Sequence, residues 1–261
     1  MSSLPRFDDM VTQKVTVPFE SDGGPAKHRI GLISLSSDVA TEYDWQNMLP
    51  ESVSFYTTRV PCFAPITNEN LQKIGPHLQS ASELLIPNQR LDVIAYSCTS
   101  GTVALGYEEV AATIRAGGRT DVPVVTPITS AISALRRLDV RRISLMTPYI
   151  DSVNQAMKEF LYMANIEVLN IGSFCLESDL DMADLSPSAI YKAALETCSP
   201  DADALFISCT AIRAVEVLEQ LESELKRPVL SAIQTLFWES LRQSGYQGAI
   251  NGYGSLLRVT D

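Results

Sequence analysis

Histidine is almost missing from this 261-residue chain, which has only His28 and His77, and neither an HExxH run nor a CxxC pair is present. The common zinc sites are therefore not expected, nor is a serine hydrolase relay, which needs a histidine and a GxSxG elbow. No GxxxxGK[ST] or GxGxxG loop follows an apolar run, and no lysine stands in a pyridoxal phosphate context, so no cofactor is expected. "AGGRT" at 116–120 has glycines but ends a helical pattern, where they read as a terminating loop. Positive charge is scarce as well, with 20 Lys and Arg against 31 Asp and Glu, a net charge of -11. A general nucleic-acid surface is thereby disfavoured. No stretch reaches the roughly 18 apolar residues of a membrane span, and the polar opening "MSSLPRFDDM" of a leader over 1–28 lacks a signal-peptide core. Five cysteines, odd in number and irregular in spacing, do not form a disulfide framework; free thiols in a reducing cytoplasm are expected.

What the chain does contain is alternation. Short β-branched runs at 29–34, 53–60, 91–97, 122–127, 141–148, 166–172, 202–208 and 227–232 interleave with helical patterns at 68–86, 102–115, 128–138, 151–163, 187–198, 210–225 and 233–244. Apolar strands separated by helices predict an α/β fold with parallel sheets covered on both faces.

The order of pieces then repeats. "RIGLISLSSD" is answered by "RISLMTPYID", "DVIAYSCTS" by "DALFISCTA" and "PVVTPITSAISAL" by "PVLSAIQTLFWES", at an offset of about 110 residues. Two copies at that period predict two similar lobes, one over 29–127 with the C-terminal segment 233–261, the other over 128–232. Ligands of open α/β sheets bind beyond the carboxyl ends of the strands, so facing lobes share one cleft.

Cys98 and Cys209 close equivalent strands, each just before a helical pattern. Amides at a helix start favour negative charge, so thiolates accessible near neutral pH are expected there. Two thiols on opposite sides of one carbon can invert it, one removing a proton and the other returning one. Alternatively, one adds to an activated double bond, the adduct rotates, and elimination gives the other geometric isomer. Thr99, Ser100 and Thr210 offer hydroxyl and N–H donors to a substrate carboxylate. Cys62, Cys175 and Cys198 read as packing residues.

These residues resemble the Asp/Glu/hydantoin racemase superfamily. "GLISLSSD" with "EYDW", "SCTSGT", "TPYID" and "SCTAIRA" look most like its maleate cis–trans isomerase and arylmalonate decarboxylase branch, and within it the ectoine-utilisation members. The resemblance implies two pseudo-symmetric flavodoxin-like lobes, each a three-layer parallel sheet, with the active site between them. It further implies a cofactor-independent racemase or cis–trans isomerase of a small carboxylate or amino-acid derivative, with a place in ectoine breakdown. Cys98 would be the nucleophile or base and Cys209 the acid/base; Thr99, Ser100 and Thr210 would bind carboxylate, and Tyr149 would donate to the substrate. Where maleate isomerases carry an asparagine after the first strand, this chain has Asp38, whose charge would repel a dicarboxylate. Asp38, with Ser37, would either meet a substrate ammonium or cap the helix ahead of "VATEYDW". Gln234 is a weaker candidate, its alternative being a helix-opening residue. The alternatives to an isomerase are an arylmalonate-type decarboxylase, against which a cysteine on both sides counts, and a non-catalytic carboxylate-binding protein. A homo-oligomer, dimer or tetramer, is expected.

Overall fold

The computed structural model describes residues 11–260 apart from Phe19 and Ser21; the first ten residues of the expected leader lie outside the described residues. From His28 the chain alternates strand and helix: β1 (His28–Leu35), α1 (Thr41–Met48), β2 (Val53–Val60), α2 (Asn68–Gln72), α3 (Leu78–Glu83), β3 (Val93–Ser97), α4 (Thr99–Leu105), α5 (Tyr107–Ala116), β4 (Val124–Val125) and α6 (Pro127–Arg137). A second series follows: β5 (Arg142–Tyr149), α7 (Asp151–Met163), β6 (Glu167–Leu176), α8 (Asp179–Ala183), α9 (Pro187–Thr197), β7 (Ala204–Ile207), α10 (Leu218–Leu225), β8 (Val229–Ser231) and α11 (Ala232–Gln243).

The repeat is structural. One parallel sheet runs β2-β1-β3-β4 and the other β6-β5-β7-β8, so each strand has a counterpart four places later. This is the flavodoxin-like order, in which the chain reverses direction across the sheet between the first and third strands. The central strands β1, β3, β5 and β7 are buried nearly throughout, as helices on both faces require, and Ile30, Leu32, Ile143, Leu145, Leu205 and Phe206 are fully closed off. β6 stands at a sheet edge and shows an alternating, half-exposed pattern.

Three helical patterns break where local chemistry demands it. The run 68–86 splits at Gly75–His77, a 3-10 turn containing Pro76, whose ring and missing N–H stop the preceding helix. The run 102–115 splits at Gly106, which takes a φ of 86°. The run 210–225 starts late: residues after Cys209 turn without helix, a 3-10 turn covers Val215–Val217, and α10 begins at Leu218.

The lobes interlock. α11, at the end of the second series, lies along α6 and packs on β3, β4 and α1. There Trp45 of α1 meets Phe237 of α11 with ring centroids 5.1 Å apart and Phe55 of β2 edge-on at 5.5 Å; Tyr43 instead stays exposed. Near the strand ends, Thr210 donates to the Ser97 carbonyl at 3.1 Å and the Ile66 N–H to the Glu177 carbonyl at 2.7 Å. No helix among the described residues is long and apolar enough to cross a membrane.

Candidate active site

Both sheets end on a cysteine, and both sulfurs are closed off, Cys98 at 3% and Cys209 at 5% exposure. Cys98 caps α4 in extended conformation (φ -150°), and its Sγ accepts the Gly101 N–H at 3.2 Å. Gly101 is required here, because a Cβ on it would stand 2.7 Å from both Cys98 Sγ and Tyr96 Oη. Cys209 is held otherwise. Its φ is 103°, a strained region for a residue with a side chain, and its Sγ accepts the Ala211 N–H at 3.3 Å.

Each sulfur has a phenol. The Tyr96 hydroxyl, otherwise without a partner, lies beside Cys98 and favours its thiolate. The Tyr149 hydroxyl favours the thiolate of Cys209 in the same way. Ser100 stands between the two, its Oγ 4.0 Å from Cys98 Sγ and near enough to Tyr149 to act on its phenol.

The expectation of ready thiolates at helix starts is overturned by the burial of both cysteines. Burial pushes Cys98 up to about 12 despite Gly101 and Tyr96. Burial and the Asp179 carboxylate push Cys209 further in the same direction against Tyr149 and Ala211. Desolvation outweighs the few amides, and Cys209 has no helix directly behind it to supply a dipole. The two thiols also feel each other, the charge of Cys98 raising Cys209.

The other residues expected at the site divide into two groups. Thr99 and Ser100 are buried beside Cys98, and the Thr99 hydroxyl has no partner. Tyr149 faces Cys209 and not open space. Thr210 spends its hydroxyl on the Ser97 carbonyl of the other lobe. Asp38 is spent too: its Oδ1 accepts the N–H groups of Ala40 and Thr41, each at 2.9 Å, and its Oδ2 accepts the Ser34 hydroxyl at 2.5 Å. The capping role therefore holds its carboxylate. Ser37 donates to Asp179 of the opposite lobe. Gln234 forms a capping box with Ser231 and donates to the Tyr253 carbonyl, so it opens α11 and does not face the thiols.

Sequence reasoning missed four residues. Tyr96 lies inside an apolar strand run and looked like core. Gly101 was legible only as a small residue in "SCTSGT". Asp179 follows β6, which runs past its expected end. Cys62 is half-buried beside Ser37 and interacts electrostatically with Cys98, so it flanks the site and does not simply pack; Cys175 is exposed. Of the expected packing cysteines, Cys198 alone stays half-buried away from the thiol pair.

The family profile described as arylmalonate decarboxylase matches residues 44–257. A maleate isomerase from Geobacillus stearothermophilus is 25% identical over 248 residues, covering 89% of this chain and 98% of that one. The arylmalonate decarboxylase from Bordetella bronchiseptica is 29% identical over 140 residues, 52% of this chain and 58% of its own. In structure, a mutant maleate cis–trans isomerase from Nocardia farcinica with a covalently bound succinylcysteine intermediate superposes with a TM-score of 0.81 at 23% identity, over 88% of this chain and 98% of that one.

Proposed function

The chain belongs to the arylmalonate decarboxylase family, and from that premise we propose that it is a cofactor-independent isomerase of a small carboxylate, working through Cys98 and Cys209. The carrying observation is the pair itself: two buried thiols at equivalent strand ends, each with its own phenol and within reach of the other's charge. A decarboxylase needs only one proton-donating thiol, and a binding protein needs none.

We take Cys98 as the nucleophile because the Asp179 carboxylate weighs more heavily on Cys209, each sulfur otherwise having one amide and one phenol on it. Starting from the Cys98 thiolate, its proton already lost to solvent, addition to the double bond of an unsaturated carboxylate forms a C–S bond. The displaced electron pair moves to the carbon next to the carboxylate, which takes the proton of the Cys209 thiol. Rotation about the new single bond then turns the other hydrogen of that carbon toward Cys209, which removes it; the double bond re-forms in the other geometry and the Cys98 thiolate leaves. No oxidant is consumed, and the proton given up by Cys209 is replaced by the one it removes. The succinylcysteine on the Nocardia relative is the kind of thioether such an addition gives, and the dry setting suppresses competing attack by water.

The test is proton NMR in heavy water with maleate, aspartate, glutamate, phenylmalonate and N-acetyl-diaminobutyrate, the last chosen for the ectoine-utilisation likeness. At least one should turn over, and Cys98→Ala and Cys209→Ala should each lose about 10³-fold or more, with the double variant no worse, as for groups acting as a unit. Cis-to-trans conversion assigns addition and rotation; α-proton exchange needing both thiols assigns inversion by the same pair. Turnover that survives either substitution refutes the two-thiol isomerase.

A further inference from the structure

Asp179 opens α8 on the second lobe and accepts the Ser37 hydroxyl of the first. It is the carboxylate that acts on both thiols, and on Cys62 as well. Among the described residues no lysine or arginine forms an ion pair with it. Asp38, the neighbouring acid whose charge acts on Asp179, has its carboxylate fixed by Ser34, Ala40 and Thr41, and the cation on its backbone carbonyl, Arg59, is paired with Glu42. A part-buried carboxylate that accepts from a serine and meets no cation is incompletely compensated, and desolvation accordingly raises its carboxyl above the usual range.

On the premise that the Cys98–Cys209 cleft is the substrate site, we infer that Asp179 selects the substrate class: a molecule with one carboxylate and, at its other end, an ammonium that replaces the Ser37 hydroxyl as the partner of Asp179. A dicarboxylate would instead bring like charge against Asp179 in a poorly screened site. The cation also does chemistry. Once neutralised, Asp179 no longer adds to the burial that keeps both thiols protonated, so the fitting substrate eases ionisation of its own nucleophile while a dianion opposes it. Asp179 thus takes up the ammonium-meeting role that sequence reasoning offered as one alternative for Asp38.

The experiment compares two ligands of one shape and opposite end charge, maleate and cis-4-aminobut-2-enoate. Binding is measured by titration calorimetry and turnover separately by NMR, on wild type, Asp179→Asn and Ser37→Ala. Wild type should bind the ammonium ligand at least about tenfold tighter than maleate, and Asp179→Asn should shift that ratio by about 100-fold toward maleate, the scale expected of a buried charge pair. Ser37→Ala removes the hydrogen bond but keeps the charge, so the preference should survive it. Should Asp179→Asn not fold, the wild-type ratio must still shrink as salt rises from about 0.02 to about 0.5 M. Tighter binding of maleate by wild type, no binding of the ammonium ligand, or a ratio untouched by Asp179→Asn or, failing that, by salt, overturns the inference. Charge-selective binding without isomerisation of any ligand would sink the isomerase and leave the selectivity of Asp179 standing.

Discussion

In the first half, the chain leaves β3 at Cys98 and enters a helix at once, wrapping the sulfur in an N–H three residues on. In the second half, it leaves β7, turns through Cys209 with a φ of 103°, and becomes helical only near Val215. One position accounts for the difference. Gly101 corresponds to Ile212, which is fully buried, and a side chain at this place in the Cys98 geometry would collide with the sulfur. The second copy keeps its isoleucine in the core and gives up the helix start. The cost is backbone strain at Cys209, on the order of 1–3 kcal/mol for such a conformation. The two phenols follow the same divergence: Tyr96 comes from the cysteine's own strand, while Tyr149 comes from the neighbouring β5. A duplicated fold thus carries two thiols that are not interchangeable.

The largest effect should come from erasing that difference. Gly101→Ile puts the second half's residue into the first; turnover should fall below detection, and urea unfolding should show a loss of about 3 kcal/mol or more, since the clash is with a sulfur, a phenol and the cap at once. The reciprocal Ile212→Gly should cost about 3–5 kcal/mol through the void it leaves, without restoring a helix start unless the strain at Cys209 relaxes.

Asp44 tests how the halves meet. It is buried on α1 with its Oδ2 unpaired, and burial, the charge of Glu216 and that of Asp38 raise its carboxyl to about 7, against the pull of Arg213. The folded protein therefore keeps this proton up to about pH 7, whereas the unfolded chain releases it near the usual 3.8. Stability falls as pH rises across that window and stays reduced above it. Asp44→Asn should raise the melting temperature at about pH 8, by the equivalent of about 2 kcal/mol, and change little at about pH 4.5. An equal gain at both pH values would rule this linkage out.

Smaller effects resolve the sulfurs individually. In the ligand-free protein both thiols should alkylate slowly at neutral pH and faster as pH rises, Cys98 ahead of Cys209. Tyr96→Phe should slow Cys98 by about tenfold and leave Cys209 alone, with Tyr149→Phe doing the reverse, each removing about one hydrogen bond to a charged group. Mass spectrometry of the labelled peptides reads the order. Smallest of all, Thr210→Val removes the hydroxyl bridge to Ser97 and should cost about 1 kcal/mol with turnover largely kept.

Much of this was legible in the sequence. Buried parallel strands announce themselves as apolar runs, and the doubled "SCT" placed both sulfurs at strand ends. What failed to show was what depends on distance. Asp179 is far from either cysteine in the chain and acts on both by its charge only in the assembled fold, β6 extending past its apolar stretch to Leu176. Asp38 read equally well as a ligand or a cap, and only its three hydrogen bonds separate the two. The helix expected at 210 failed because periodicity records which residues are buried, and Ile212 is buried whether or not its backbone is helical. The thiols' resistance to ionisation was hidden as well, since burial of a side chain is a property of the assembled lobes.

The near-complete enclosure of both sulfurs has a consequence for the history of each hydrogen atom. On the proposed mechanism, a hydrogen taken from carbon onto a thiol so enclosed is slow to exchange with solvent, so its fate depends on two clocks, chemistry and exchange. When chemistry runs faster, the thiol hands the same atom on to the next carbon it protonates, and product formed in heavy water carries hydrogen that came from substrate. The fraction of substrate-derived hydrogen in the product is then a direct gauge of how often the thiol exchanges per turnover.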